Sequence, residues 1–189
     1  MGLRRGFKVE SERIAKDIWN GMGLKAPDRM DAVALAQHVG CIVRSADTLV
    51  DIAKLKELKR VQGNAFFACT FELPRGGRAV VFNPLMAETR RNSDVAHEVA
   101  HILLNHRLSR LERVGDVGFL SCDKQQEEEA GWLSGCLLLP RFALVYDLKR
   151  RTAHATIARN RVLSEDMVDY RVRVTGVARQ LAASRRKAS

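Results

Sequence analysis

No stretch limits this chain's architecture more than His97-Glu98-Val99-Ala100-His101. Its flanks predict a helix: Val95, Val99 and Ile102 recur at i, i+4 and i+7, while Ala96, Ala100, Leu103 and Leu104 fill the neighbouring faces. Ser93 or Asn92 is expected to cap its start. Apolar residues nearly all round mark it as a buried central helix. Positions four apart share one helical face, one turn apart, so both imidazoles project the same way. Burying two His and a Glu in such a helix is costly unless they are paired or liganded. Two neutral imidazoles on one face can hold Zn²⁺, leaving room for water and a third protein ligand. Glu98 is offset around the helix, toward water on the ion rather than the ion itself.

The third ligand is sought among His and acidic residues. His106 follows His97 by nine residues, about 180° around a continued helix, and so is expected to point away as a surface or helix-end histidine. His38 and His154 have no clustered partners in the sequence and read the same way. Glu127-Glu128-Glu129 opens the next strong helix. A solvated acidic helix start is the plainer reading, but three consecutive Glu point in three directions, and one of them can face the histidines.

The chain in order reads as α+β. A helix over 8–24 carries Val9, Ile14, Ile18, Trp19 and Met22 on one stripe. A second starts at Asp28 as cap and ends at Gly40. Cys41-Ile42-Val43-Arg44 is a short strand, and 47–62 suggests a helical turn or two. Residues 64–83 form a β-hairpin around Pro74-Arg75-Gly76-Gly77. Residues 107–124 show no clear period and read as a loop or plain connector. Gln125 to Leu139 is a helix with its acidic residues at the N-terminal end, as the helix dipole favours, and Pro140 stops it. Three short helices follow: Phe142 to Lys149, Ala153 to Arg159, and one capped by Ser164 that runs to Gly176. Ser184 to Ser189 is expected to be disordered. The resulting divisions are 8–140, a C-terminal helical region over 141–176, and a basic tail over 177–189.

Composition narrows the class. The formal net charge is +10 over 189 residues, and from Lys149 onward eleven Lys or Arg face three Asp or Glu. Such a segment suits nucleic acid or an acidic partner, or is simply a solvated helix face. Cys41, Cys69, Cys122 and Cys136 include no C-x-x-C pair, so they are expected to be reduced rather than a disulfide frame or zinc ribbon. The Arg-rich opening lacks a secretory apolar region, and no run of 18 apolar residues occurs. A soluble, cytoplasmic protein without membrane contact is the expectation.

Two segments, Ser93-Asp94-Val95-Ala96-His97-Glu98-Val99-Ala100-His101-Ile102-Leu103-Leu104 and Glu127 to Pro140, resemble the signature blocks of the ImmA/IrrE family of metallo-endopeptidases. The second block in that family reads approximately E-x-E-A-N-x-F-A-A-x-L-L-M-P. Aligned back from Pro140, its metal-binding Glu falls on Glu127. The hairpin ending Val81-Phe82-Asn83-Pro84 and the N-terminal helices extend the likeness over residues 10–176, strongest over 79–140. Gly131 stands where the family has Asn, and Leu133, Ser134 and Gly135 replace Phe and Ala positions. If that Asn supports a ligand imidazole, this chain must find the support elsewhere or bind metal less tightly.

The resemblance implies a zincin-like domain with a small antiparallel sheet and a central H-E-x-x-H helix. It implies Zn²⁺ on His97, His101 and Glu127, with Glu98 as general base in peptide hydrolysis. The donor to the tetrahedral oxyanion is open among Tyr146, His106 and the 107–124 segment. An extended substrate is expected to add a strand near Ala79 to Phe82. The implied substrate is a helix-turn-helix repressor. The alternatives are a DNA- or protein-binding regulator, or a pseudoprotease with a structural zinc. The 142–176 helices offer Arg171 and Arg173 to nucleic acid, but recognition helices read bases from their N-terminal part. Here that part carries Glu165, Asp166 and Asp169, which disfavours DNA.

Overall fold

The computed structural model describes residues 2–63, 66–74, 76–107, 110–114, 117–121 and 123–188. Its centre is a pair of packed helices, α4 (Glu88–Leu103) and α5 (Lys124–Leu138). α5 buries nearly every position from Glu129 to Leu138, so it has no solvent face over its second half. α1 (Phe7–Gly21) covers α5 with Phe7, Ser11, Ala15 and Trp19, a strict four-residue spacing. The Trp19 indole N–H donates to the carbonyl of Leu137 at 2.7 Å. That bond satisfies the one polar atom of a fully buried ring.

The capping of α2 (Ala32–His38) differs from expectation. Asp31, not Asp28, is its N-cap, accepting from Ala34 N at 2.8 Å. Asp28 instead accepts from Lys25 N and closes a local turn. Asn92, expected to cap α4, lies inside it, because α4 already begins at Glu88. Its Oδ1 accepts from Ala32 N at 2.8 Å, so it satisfies a free N–H at the start of α2, 60 residues away.

The sheet is mixed rather than antiparallel. β2 (Ala68–Glu72) and β3 (Arg78–Phe82) form the expected hairpin. β1 (Ile42–Ser45) runs parallel to β3 on its other side, giving the order β1-β3-β2. Between β1 and β3 the chain passes through a 3₁₀ turn (Ala46–Thr48), α3 (Ile52–Val61) and β2, the long crossover that a parallel pair requires. β3 is therefore central. Among the described residues the free edges belong to β1 and β2, not to Ala79–Phe82, where strand addition was expected.

Beyond α4 the chain also departs from expectation. β4 (Arg110–Val114) and β5 (Val117–Ser121) pair antiparallel within the stretch read as a loop. Only Gly115 and Asp116 separate the two runs in sequence, a composition that marks hairpins, but each run is too short to show a period of its own. Those two residues and Cys122 lie outside the described residues. Cys41, Cys69 and Cys136 are free thiols.

After Pro140 come α6 (Arg141–Lys149), α7 (His154–Arg161), α8 (Glu165–Thr175) and α9 (Val177–Ala188). Ser164 caps α8, accepting from Met167 N at 3.2 Å, and Gly176 ends it at φ 64. α9 occupies the stretch read as tail. Its Ala, Gln, Leu and Arg residues favour helix, and fully buried Val177 anchors its start. The core cluster is continuous from Phe7 to Val177. Among the described residues no helix is long and apolar enough to cross a membrane.

Candidate metal centre

α4 presents His97 and His101 on one face, and α5 brings Glu127 to them. His101 Nε2 lies 3.0 Å from His97 Nε2. Glu127 Oε2 is 3.1 Å from His97 Nε2, and its Oε1 is 3.4 Å from His101 Nε2. Among the described residues these three form the group able to hold a metal ion, their donor atoms all within 4.8 Å of one another. Ligands about 2.0–2.1 Å from a tetrahedral ion stand about 3.3 Å apart, so the triangle matches that spacing. The donor set, two imidazoles and one carboxylate, is also of the right chemistry. His101 is driven down to about 4, first by burial and then by the neighbouring His97, against the pull of Glu127. A neutral ring at physiological pH is the form that offers a lone pair.

Glu98 sits beside this triangle without joining it. Its Oε2 accepts from Thr70 Oγ1 at 2.6 Å, a bond from β2 across to α4. Burial is the main cause that raises its pKa; the Thr70 hydrogen bond and His97 act against that, and Glu127 and Asp94 add to it. Thr70 is a residue the sequence reading missed. Nothing local marks it, since it meets Glu98 only through the sheet-to-helix packing.

The three glutamates do diverge. Glu127 faces the histidines and Glu128 lines the outer rim with Trp132. Glu129 turns the other way and is buried, its carboxylate against His106. His106 is the main correction here. It does lie at the helix end, but it is not on the surface and does not point away: its side chain is 7 % exposed and its Nδ1 lies 3.1 Å from His101 Nδ1. The 180° argument assumed that the helix continued. It ends at Leu103, and Asn105 at φ 52 turns the chain back so that His106 N–H donates to His101 O. Asn tolerates this left-handed conformation better than most residues.

A cleft of about 730 Å³ opens over the site, with Phe67 and Ala68 at the start of β2 on one wall and Met167 and Tyr170 of α8 on the other. Tyr170, rather than Tyr146, is the tyrosine that lines it; Tyr146 lies under the Arg150 guanidinium. Gly131 borders both this cleft and a second hollow of about 500 Å³ beyond Glu127. A Cβ at 131 would meet nothing within 4 Å. Gly inside a helix costs roughly 0.5–1 kcal/mol relative to Ala. Gly131→Ala is therefore expected to raise unfolding stability by that amount, read as a higher denaturant midpoint; a drop would mean that the backbone there needs glycine.

Two histidines one turn apart on a buried helix, a carboxylate from a second helix and an acid beside them make up a metallopeptidase-type site. Residues 59–173 match the Peptidase M78 family model, described as the IrrE N-terminal-like domain. The chain belongs to this family, as the resemblance of its two segments implied. No curated protein and no solved structure matches it.

Proposed function

We propose that the chain is a zinc-dependent endopeptidase that cuts one peptide bond in a regulatory protein, a helix-turn-helix repressor, in the cytoplasm. The observation that carries this reading is the triangle of His97, His101 and Glu127, reached from an open cleft that His97 and Glu98 line, with Glu127 on the neighbouring hollow. Zinc bound there would supply Lewis acidity, polarising a carbonyl and acidifying water toward a pKa of about 7. The protein's own part is the proton and the substrate. Glu98 is held by one oxygen to Thr70, and among the described residues its other oxygen makes no hydrogen bond, leaving it to take a proton and return it to the leaving amine. The free edge of β2 flanks the cleft. Its backbone N–H and C=O groups suit an extended peptide laid antiparallel.

The family likeness supports a repressor substrate, and the open cleft suits an extended segment of it. The nucleic-acid alternative loses ground, because Arg171, one of the two arginines offered to DNA, is fully buried. The test is to load the protein with Zn²⁺ and incubate it with helix-turn-helix repressors, starting with any that is encoded beside its gene. A single cut that stops with a chelator and resumes with Zn²⁺ is the expected result. Stoichiometric zinc with no cut in that or any other repressor tried would leave a pseudoprotease instead.

A further inference from the structure

His106 and Glu129 are two buried polar groups with no part in the hydrolysis described above, and their contacts run in one line. Glu129 Oε1 accepts from Gln125 Nε2 at 3.2 Å and faces Arg4 Nε at 3.7 Å. Glu129 Oε2 is 3.4 Å from His106 Nε2, and His106 Nδ1 is 3.1 Å from His101 Nδ1. His101 Nε2 then faces His97 and Glu127. The side chains of His106 and Glu129 are 7 % and 9 % exposed, so water contributes little along the line.

The proton positions follow from the ends inward. A neutral imidazole has one N–H and one lone pair. Glu129 already accepts from Gln125 on its other oxygen, so a carboxylate in this place calls for an N–H on His106 Nε2. That leaves the lone pair on His106 Nδ1, which can meet His101 Nδ1 only if the latter carries its proton. His101 Nε2 is then the bare nitrogen, on the side of Glu127 and His97. We infer that His106 and Glu129 are positioning residues that hold His101 in the tautomer whose Nε2 lone pair points into the metal centre. The inference rests on the metallopeptidase reading. It also answers the substitution at 131: orientation of a ligand imidazole comes here from a His–Glu pair behind the ring.

Ligand histidines usually give their second N–H to an acceptor, and losing that partner costs about 10–100-fold in metal affinity. The variants to compare are H106L, which keeps bulk without an acceptor, and H106N, whose Oδ1 stands where Nδ1 stood. Zn²⁺ affinity is read by competition with a chromophoric chelator, and the apo proteins are melted alongside. H106L is expected to bind Zn²⁺ about 10–100-fold more weakly and to melt lower in the apo state, because Glu129 loses its N–H donor; H106N shares that stability loss, having no donor at the Nε2 position, but recovers most of the Zn²⁺ affinity. Unchanged affinity in H106L, or H106N as weak as H106L, overturns the inference. Ring ¹⁵N shifts of the apo wild type give a metal-free readout: His101 protonated at Nδ1 is expected, and protonation at Nε2 overturns the inference even if the variants misfold. His97→Ala separates the two readings. If it too leaves Zn²⁺ affinity intact, the metal centre is wrong, whatever tautomer His101 holds.

Discussion

Replacing Glu98 by Gln is expected to lower the cleavage rate by about 10²–10⁴-fold, the usual worth of a positioned acid–base group, while zinc content stays at the wild-type level. That range corresponds to about 3–5 kcal/mol of barrier. The two effects separate because Glu98 stands beside the triangle, held by Thr70, and not among its donors. A Gln side-chain carbonyl can still accept from Thr70 Oγ1, so the bond from β2 to α4 survives the change. Stability should not fall either, since a buried carboxylate is costly to desolvate and an amide is less so. His97→Ala should behave differently and lose metal and cleavage together. Cleavage rate against a repressor and metal content of the same sample are the two readings. An E98Q protein that cuts within a few-fold of wild type would remove Glu98 as the base and leave the metal centre untouched.

The part of this site that depends on local spacing is legible in the sequence alone. H-E-x-x-H needs only the helical repeat to place two imidazoles together, and the apolar residues around it announce a buried helix. The acidic start of α5 is visible for the same reason, although the choice of Glu127 among three neighbours comes from the family likeness. What stays hidden depends on the end of an element or on a partner far along the chain. His106 escapes the spacing argument because one residue, Asn105 at φ 52, ends the helical phase on which that argument relies. Thr70 reaches Glu98 from 28 residues away, and Asn92 caps a helix 60 residues away. Neither distance leaves a period to count. The hairpin of β2 and β3 is legible from its turn chemistry. Its pairing with β1 is not, because strand order is decided by how the crossover packs and not by any strand's own alternation.

The same limit applies to Arg171, read as a surface charge and found fully buried. Its Nη2 donates to Glu12 on α1, and its Nε donates to Leu139 O at 3.0 Å. The Glu12 carboxylate also accepts from Arg141 N at 2.8 Å, so one acid ties α1, the start of α6 and α8. Gly135 makes the approach feasible: a Cβ there would stand 3.2 Å from Arg171 Cδ. The partners are unequal, Arg171 being 0 % exposed and Glu12 25 %. Removing the acid strands a charge with no route to water, whereas removing the base leaves a carboxylate that water and Arg141 can still reach. Breaking a buried pair costs about 3–5 kcal/mol, and Glu12→Gln is expected near that figure. In a chain of this size it corresponds to a fall of roughly 6–20 °C in melting temperature. Arg171→Met should cost less, and the double variant should regain part of the loss, since an apolar replacement of a whole buried pair is often close to neutral. Thermal unfolding of the three apo proteins decides it. Equal losses from E12Q and R171M would mean that the unequal burial of the two partners does not set the cost of losing either. Because α8 also carries Met167 and Tyr170 to the cleft wall, Glu12→Gln should also slow cleavage from a distance. It would do so by loosening the helix that lines the substrate's path, with His97, His101 and Glu127 still in place.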